Sequence, residues 1–455
     1  MVEHRPRYHF LPPSDLPDSR QAGWMNDPKL FFRKGEYHVF FQYGPAPNWR
    51  LKHWGHVVSA DLVRWRWLPV ALAPTPGGPD EGGCWTGCVI ADRGRFHILY
   101  TGVRARDPAR GRPQTQCLAS SDDLIAWEKY AGNPVIAEKP AGFGDCFRDP
   151  CAWKEGDTWL MIIGSQVPGA GGAALLHRSK DLIHWEYMHP LFEGDPRRTG
   201  KMFECPDFFR LGEKWVLLTS CGKTWWHTGG YESRRFTAAK QGVTDGGNFY
   251  AAKTLADGLG RRILWGWITE GRSWEEQRKA GWSGVLSLPR LLTLLPDGGL
   301  GIEPAPELES LRGTSERYEN VEVASGRNPK IRLLDRGAGD CIEISATFGP
   351  SDAAEYGVVV RCSPDLTEQT SITWRRDTER LVDTPLPLRA GEELTLRVFV
   401  DRSVIEVFAN GRASHTLRAY PTREDSLGIG LFARGGTARL RSLDAWQMAP
   451  SPLQM

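Results

Sequence analysis

Short runs of apolar and aromatic residues, each opened by a glycine turn, recur along the first two-thirds of the chain. Gly35-Glu36-Tyr37-His38-Val39-Phe40-Phe41 is followed by Gly94-Arg95-Phe96-His97-Ile98-Leu99-Tyr100, by Gly156-Asp157-Thr158-Trp159-Leu160-Met161-Ile162 and by Gly212-Glu213-Lys214-Trp215-Val216-Leu217-Leu218. Arg262-Ile263-Leu264-Trp265-Gly266-Trp267 is a degenerate fifth copy. Apolar runs of this length between turn residues predict strands. A second pattern, Ser-x-Asp-Leu-x-x-Trp, keeps step with the first. It spans Ser59 to Trp65, Ser121 to Trp127 and Ser179 to Trp185, with starts 62 and 58 residues apart, and Ser233-Arg234-Arg235-Phe236 is a weaker relative. A repeat of about 60 residues has room for four strands and their loops, the size of one propeller blade. Roughly 290 residues at that period make five blades.

The repeat stops after Leu295. Pro296-Asp297-Gly298-Gly299 reads as a turn, and Glu303-Pro304-Ala305-Pro306-Glu307 as a linker or helix entry. Beyond it, alternating runs such as Leu394–Val400 and Val404–Phe408 predict strands. Asn410-Gly411 is the signal of a type I′ hairpin. Short alternating strands over about 130 residues argue for a β-sandwich. The expected fold is therefore all-β: a five-bladed β-propeller over 1–295, a linker over 296–318, and a β-sandwich over 319–455.

Charge narrows the function. Lys plus Arg total 57 and Asp plus Glu 55, a net charge of +2. That balance excludes a chain built to neutralise nucleic-acid phosphate and leaves no basis for a polybasic membrane anchor. No stretch approaches the roughly 20 apolar residues that span a bilayer. No apolar run of signal-peptide length follows Met1–Arg7, so a cytoplasmic location is expected. Nine cysteines form no CxxC pair and no zinc-like set, and are expected as reduced, mostly buried thiols. Nineteen tryptophans suit a β-rich chain and offer flat faces for sugar rings.

Candidate chemistry lies just upstream of the glycine turns. Asp27, Thr86 and Glu204 each precede a turn glycine by eight residues, and Asp149 by seven. A shared phase of the repeat means a shared place in each blade. On an innermost strand, Asp27, Asp149 and Glu204 would converge on the central channel from three blades. Singly, Asp27-Pro28 and Asp149-Pro150 are common turn dipeptides. As a phased trio they ask for a functional reason, because gathered carboxylates resist joint ionisation. Glycoside hydrolysis supplies one, needing a carboxylate and a carboxylic acid about one bond. A metal site is the competing use of gathered acids, and none is expected here.

At these residues the chain resembles glycoside hydrolase family 32, the β-fructofuranosidases. The family's Trp-Met-Asn-Asp-Pro-Asn-Gly motif reads Trp24-Met25-Asn26-Asp27-Pro28-Lys29-Leu30 here. Phe147-Arg148-Asp149-Pro150 matches its Arg-Asp-Pro motif, and Met202-Phe203-Glu204-Cys205-Pro206-Asp207 its Glu-Cys motif. Trp54-Gly55-His56, Cys84-Trp85-Thr86-Gly87, Gly281-Trp282-Ser283-Gly284 to Leu288-Pro289-Arg290, and Asp401-Arg402-Ser403 to Asn410-Gly411 also look like family segments.

The resemblance implies a retaining double displacement on terminal β-D-fructofuranosyl linkages of sucrose, fructo-oligosaccharides or fructans, without a cofactor. Asp27 would be the nucleophile, Glu204 the acid/base, and Asp149 the holder of fructose hydroxyls. Asn26 and Gln42 match polar contacts to the sugar. Trp49, Trp85 and Thr86 match the pocket wall. Arg148 would keep Asp149 ionised, and Tyr250 would face the acid/base from the fifth blade. The fold it implies agrees with the repeat count. Two departures stand out. Lys29-Leu30 replaces Asn-Gly, so a turn there must differ. Arg50-Leu51-Lys52 adds positive charge where a leaving group would lie, either solvated surface charge or a site for an anionic leaving sugar. The alternatives are a related propeller hydrolase acting on arabinofuranosides and a non-catalytic sugar-binding propeller. The C-terminal sandwich and Glu-Cys-Pro disfavour the first, and three converging acids the second.

Overall fold

The computed structural model describes residues 2–13, 23–44, 51–104 and 111–455. Strands dominate the regular structure, and the chain falls into two compact units. The first comprises Leu11–Val243, Phe249–Leu300 and Leu453–Met455. The second comprises Met1–Phe10, Thr244–Asn248 and Gly301–Pro452.

Among the described residues the first unit, the propeller, holds five sheets, antiparallel and in chain order except that Leu453–Gln454 adds to the first in parallel. Their first strands are Trp24–Arg33, Cys84–Asp92, Phe147–Glu155, Glu204–Leu211 and Phe249–Ala256. Each first strand is an edge of its sheet. These edges lie against one another in chain order, and the fifth returns to the first. The glycine turns are the hairpins into the second strands; Lys34 and Gly35, and Arg93 and Gly94, all have positive φ. The Ser-x-Asp-Leu-x-x-Trp copies link the third strand to the fourth. In each, the aspartate Oδ1 accepts two backbone amides: Asp61 from Val63 and Arg64, Asp123 from Ile125 and Ala126, Asp181 from Ile183 and His184. The leucines, left-handed at φ 68°, 70° and 67°, bury their side chains between sheets. Ser233-Arg234 is instead a two-residue turn with positive φ at both residues.

Apolar faces of neighbouring sheets form the core. Phe40 and Trp54 of the first sheet meet Ile98 and Tyr100 of the second, Leu99 and Leu118 meet Trp159 and Met161 of the third, and Leu160 and Ile162 meet Phe208 and Leu217 of the fourth. The ring is also tied by main chain. Met25 N–H donates to the Ser283 carbonyl (3.0 Å), and Ser283 N–H to that of Gly23 (2.8 Å). Gly284 follows at φ 74°, and a Cβ there would stand 2.0 Å from the Met25 carbonyl oxygen. Only glycine fits.

The second unit is a β-sandwich of two six-stranded sheets around one core that includes Ile344, Phe348, Val358, Trp374, Val398 and Leu431. Asn410 (φ 48°) and Gly411 (φ 62°) make the hairpin between Val404–Ala409 and Ala413–Arg418, as their dipeptide signals. Two short segments read from the pattern as propeller belong here. Asp401 accepts the amides of Arg7, Tyr8 and His9 (2.7–2.8 Å). Asp245 accepts the Thr416 amide and hydroxyl (2.9 and 2.7 Å). Such long-range partners leave no mark on local periodicity. The stretch 296–318 also holds more structure than a linker: the strand Leu300–Pro304, the 3-10 helix Pro306–Leu311 and the start of the strand Arg312–Ser325.

Candidate active site

All five first strands break register near their beginning. The shifts fall between Asn26 and Pro28, Cys84 and Gly87, Arg148 and Cys151, Glu204 and Asp207, and Tyr250 and Lys253. A bulge re-aims side chains out of the sheet, and here it does so in every sheet at the same end of the ring. The three acids sit at or next to these bulges. Register refines the phase read from the sequence. Arg148 faces Gly164, Glu204 faces Ser220, and Tyr250 faces Trp267. The next residues, Asp149, Cys205 and Ala251, have φ 65°, 48° and 55°. Asp149 is therefore the counterpart of Cys205, and Glu204 that of Arg148. The one-residue offset in glycine spacing is real and puts Asp149 and Glu204 in different roles.

Both Asp27 carboxylate oxygens are gripped by donors. Thr86 Oγ1 donates to Oδ2 (2.7 Å) and Asn26 Nδ2 to Oδ1 (3.1 Å). Asn26 Nδ2 also donates to Gln42 Oε1 (2.8 Å), and Gln42 Nε2 to Thr86 Oγ1 (2.7 Å). Asp27, Asn26, Gln42 and Thr86 thus close a hydrogen-bonded ring across two sheets.

Asp149 is buried, and its amide donates to Thr101 Oγ1 (2.8 Å). Its Oδ2 accepts the Cys205 amide (2.9 Å) and faces the Cys205 thiol (3.5 Å), which also lies 3.9 Å from Asp27 Oδ2. Burial pushes the Asp149 carboxyl up to about 6; the Arg148 charge pulls it down, while Glu204 and Asp27 push further up.

Arg148 turns mainly to Glu204. Its Nη2 and Nε donate to Glu204 Oε1 (2.7 and 3.2 Å), whereas Nε stands 4.0 Å from Asp149. Burial opposes the Arg148 charge, and the surrounding acids outweigh it and hold the guanidinium charged. The opposite Glu204 oxygen, Oε2, accepts the Tyr250 hydroxyl. Burial, then the Glu204 charge, push the Tyr250 phenol well up, so it stays a donor. The Glu204 side chain is 22 % exposed against 4 % for Asp149, so Glu204 is the one open to an incoming oxygen. Trp85 is half-buried, with the Arg148 guanidinium 5.9 Å from its ring centre.

Nine of the ten expected residues are thus linked in one cluster of contacts. The tenth, Trp49, lies outside the described residues, as does Arg50. Two expectations change. Lys29-Leu30 is no turn but the middle of the first strand, with Lys29 buried. Lys52 is not surface charge: it is buried, and its ammonium donates to Asn26 Oδ1. Lys29, Lys52 and Cys205 are site neighbours that sequence reasoning did not place. Both lysines had been flagged as departures or added charge, but the side-chain direction was invisible. Among the described residues no cluster of His, Cys, Asp and Glu is arranged to hold a metal ion.

One carboxyl group held by neutral donors and a second partly open to an incoming oxygen are the equipment of a glycoside hydrolase. Comparison with known proteins gives the family. Residues 19–304 match the glycosyl hydrolases family 32 N-terminal domain, and residues 307–447 the family 32 C-terminal domain. The chain is 33% identical to sucrose-6-phosphate hydrolase of Escherichia coli, over 97% of this chain and 94% of that protein. It is also 33% identical to levanase of Bacillus subtilis, over 97% of this chain and 70% of that one. Among solved structures, fructan 1-exohydrolase IIa from Cichorium intybus aligns with a TM-score of 0.86 at 27% identity, covering 99% of this chain and 98% of that one. The chain belongs to glycosyl hydrolases family 32.

Proposed function

We infer that the protein is a retaining β-fructofuranosidase that releases terminal fructose. Asp27 attacks the anomeric C2 of the fructosyl unit while Glu204 gives its proton to the departing glycosidic oxygen. The C2–O bond breaks, and a fructosyl ester on Asp27 forms. Glu204, now a carboxylate, takes a proton from water; the water oxygen bonds to C2, and Asp27 leaves as a carboxylate. Asp149 accepts hydrogen bonds from fructose hydroxyls, and Asn26, Gln42, Trp85 and Thr86 line the pocket.

The observation that carries this reading is the different dress of the two carboxyl groups. Asp27 accepts only from neutral side chains, Thr86 and Asn26, which fix the direction of its two oxygens. Glu204 is partly open and held between Arg148 and Tyr250, which sets its direction. The names of the relatives point to sucrose, sucrose 6-phosphate and fructans as the substrates to try.

The test is fructose release from sucrose, sucrose 6-phosphate, levan and inulin. The unmodified protein should release fructose from at least one. Glu204→Gln and Asp27→Asn should each lose about 10³-fold or more in kcat. Release that survives both substitutions would sink the assignment.

A further inference from the structure

Two buried ammonium groups stand behind Asp27, and the double displacement uses neither. Lys52 joins the second and third strands of the first sheet, and its carbonyl accepts the Cys84 amide (2.8 Å). Its Nζ donates to Asn26 Oδ1. Lys29, two residues beyond Asp27, donates from Nζ to the Asp27 main-chain carbonyl (2.8 Å) and lies 4.7 Å from the centre of the Trp54 ring. Lys52 is 6% exposed and Lys29 1%.

A protonated ammonium can donate and cannot accept. Lys52 therefore takes the oxygen side of the Asn26 amide and turns its NH₂ to Asp27 and Gln42. Gln42 then presents its oxygen to Asn26 and its NH₂ to Thr86 Oγ1. With that lone pair occupied, the Thr86 hydroxyl sends its proton to Asp27 Oδ2. The donor direction of the whole ring follows from one cation that is not part of it. Lys29 fixes the main-chain carbonyl of the same bulge from the other side.

Resting on the fructosidase reading, we propose that Lys52 and Lys29 are positioning residues for the nucleophile, Lys52 by setting the donor direction of the ring and Lys29 by pinning the Asp27 bulge. Burial pushes each lysine down to about 7, with Asp27 pulling back up; Lys52 also feels Lys29. Lys29 faces Asp149 and Cys205, which favour its charge, and Lys253, which opposes it. While protonated, each ammonium also lowers the pKa of the carboxyl groups beside it, and that charge is what the substitutions remove.

Fructose release is measured against pH for the unmodified protein, Lys52→Met, Lys29→Met and Lys52→Arg, with thermal unfolding followed in parallel. Each Met variant should lose about tenfold or more in kcat/KM, the scale of a small misplacement of a reacting group. Both limbs of its pH profile should move to higher pH, because a nearby cation is gone. Lys52→Arg, another obligate donor, should return the limbs toward their original places. Folded Met variants whose limbs coincide with those of the unmodified protein would overturn the proposal. Lys52→Gln, which fills the space and keeps a donor, covers the case in which both Met variants unfold. It is neutral, so its limbs should also move to higher pH. Limbs that stay put in it overturn the proposal. Absence of any release by the unmodified protein is a separate outcome and sinks the fructosidase reading instead.

Discussion

Thr86 Oγ1 receives a hydrogen bond from Gln42 and gives one to Asp27, so its proton has a single destination. Thr86→Val keeps the shape and removes both. The Gln42 amide and one Asp27 oxygen are then left short of a partner, at about 1–3 kcal/mol. Measured as kcat, the loss should be about 10–100-fold. Asp149 adds a pH dependence. Its carboxyl is pushed up to about 6, and only the ionised form accepts hydrogen bonds at both oxygens, as the role proposed for it requires. Activity should therefore fall as pH drops through about 6, read as the acidic limb of kcat/KM. The acids and their chemical neighbours were legible in the motifs. The Lys29 and Lys52 directions were not, because an inward and an outward lysine are the same letter until strand register is known.

At the scale of the element, the bulge explains why the repeated spacing was a sound but incomplete guide. A bulge adds one residue to one strand, so side chains on either side of it exchange faces. Counting from the glycine turns placed Asp149 and Glu204 within one residue of each other. The pairing of Arg148 with Gly164 and Glu204 with Ser220 shows that they stand one step apart in the bulge. That step lets the Cys205 amide and thiol meet Asp149, while Arg148 reaches Glu204. The strand start is also where the ring is tied. Gly284→Ala would put a methyl carbon on the Met25 carbonyl at a left-handed residue. It should cost about 2–4 kcal/mol and visibly lower Tm; because Met25 is two residues from Asp27, kcat should fall with it.

Across the molecule, buried histidines of the two units respond oppositely to pH. In the propeller, burial pushes His177 and His227 down to about 4 each. The unfolded chain binds their protons at about 6.5 and the folded chain does not until about 4, so stability is lost as pH falls through that window. Each histidine is worth about 3 kcal/mol by this linkage. In the sandwich, burial opposes the His9 charge, but Asp401 and Glu406, each 2.9 Å from a ring nitrogen, outweigh it and raise its pKa. That contribution is full below the unfolded value and is lost as pH rises through the raised one. Calorimetry from pH 7 to 4 should show the propeller transition falling steeply in temperature. A transition that holds its Tm over this range would count against the buried, neutral histidines.

The sequence by itself determined the propeller-plus-sandwich architecture, because repeat length, turn glycines and strand alternation are local quantities that the backbone must obey. It also marked Asp27, Asp149 and Glu204 as the candidate acids, since their motifs fall within one residue of the same phase of that repeat. Only the tertiary structure decided the partner of each acid, the burial of Lys29 and Lys52, and the residence of the N-terminal segment and residues 244–248 within the sandwich unit. Those depend on hydrogen bonds between residues tens to hundreds of positions apart. No local pattern records them, since a buried donor or acceptor constrains its partner in space and not along the chain.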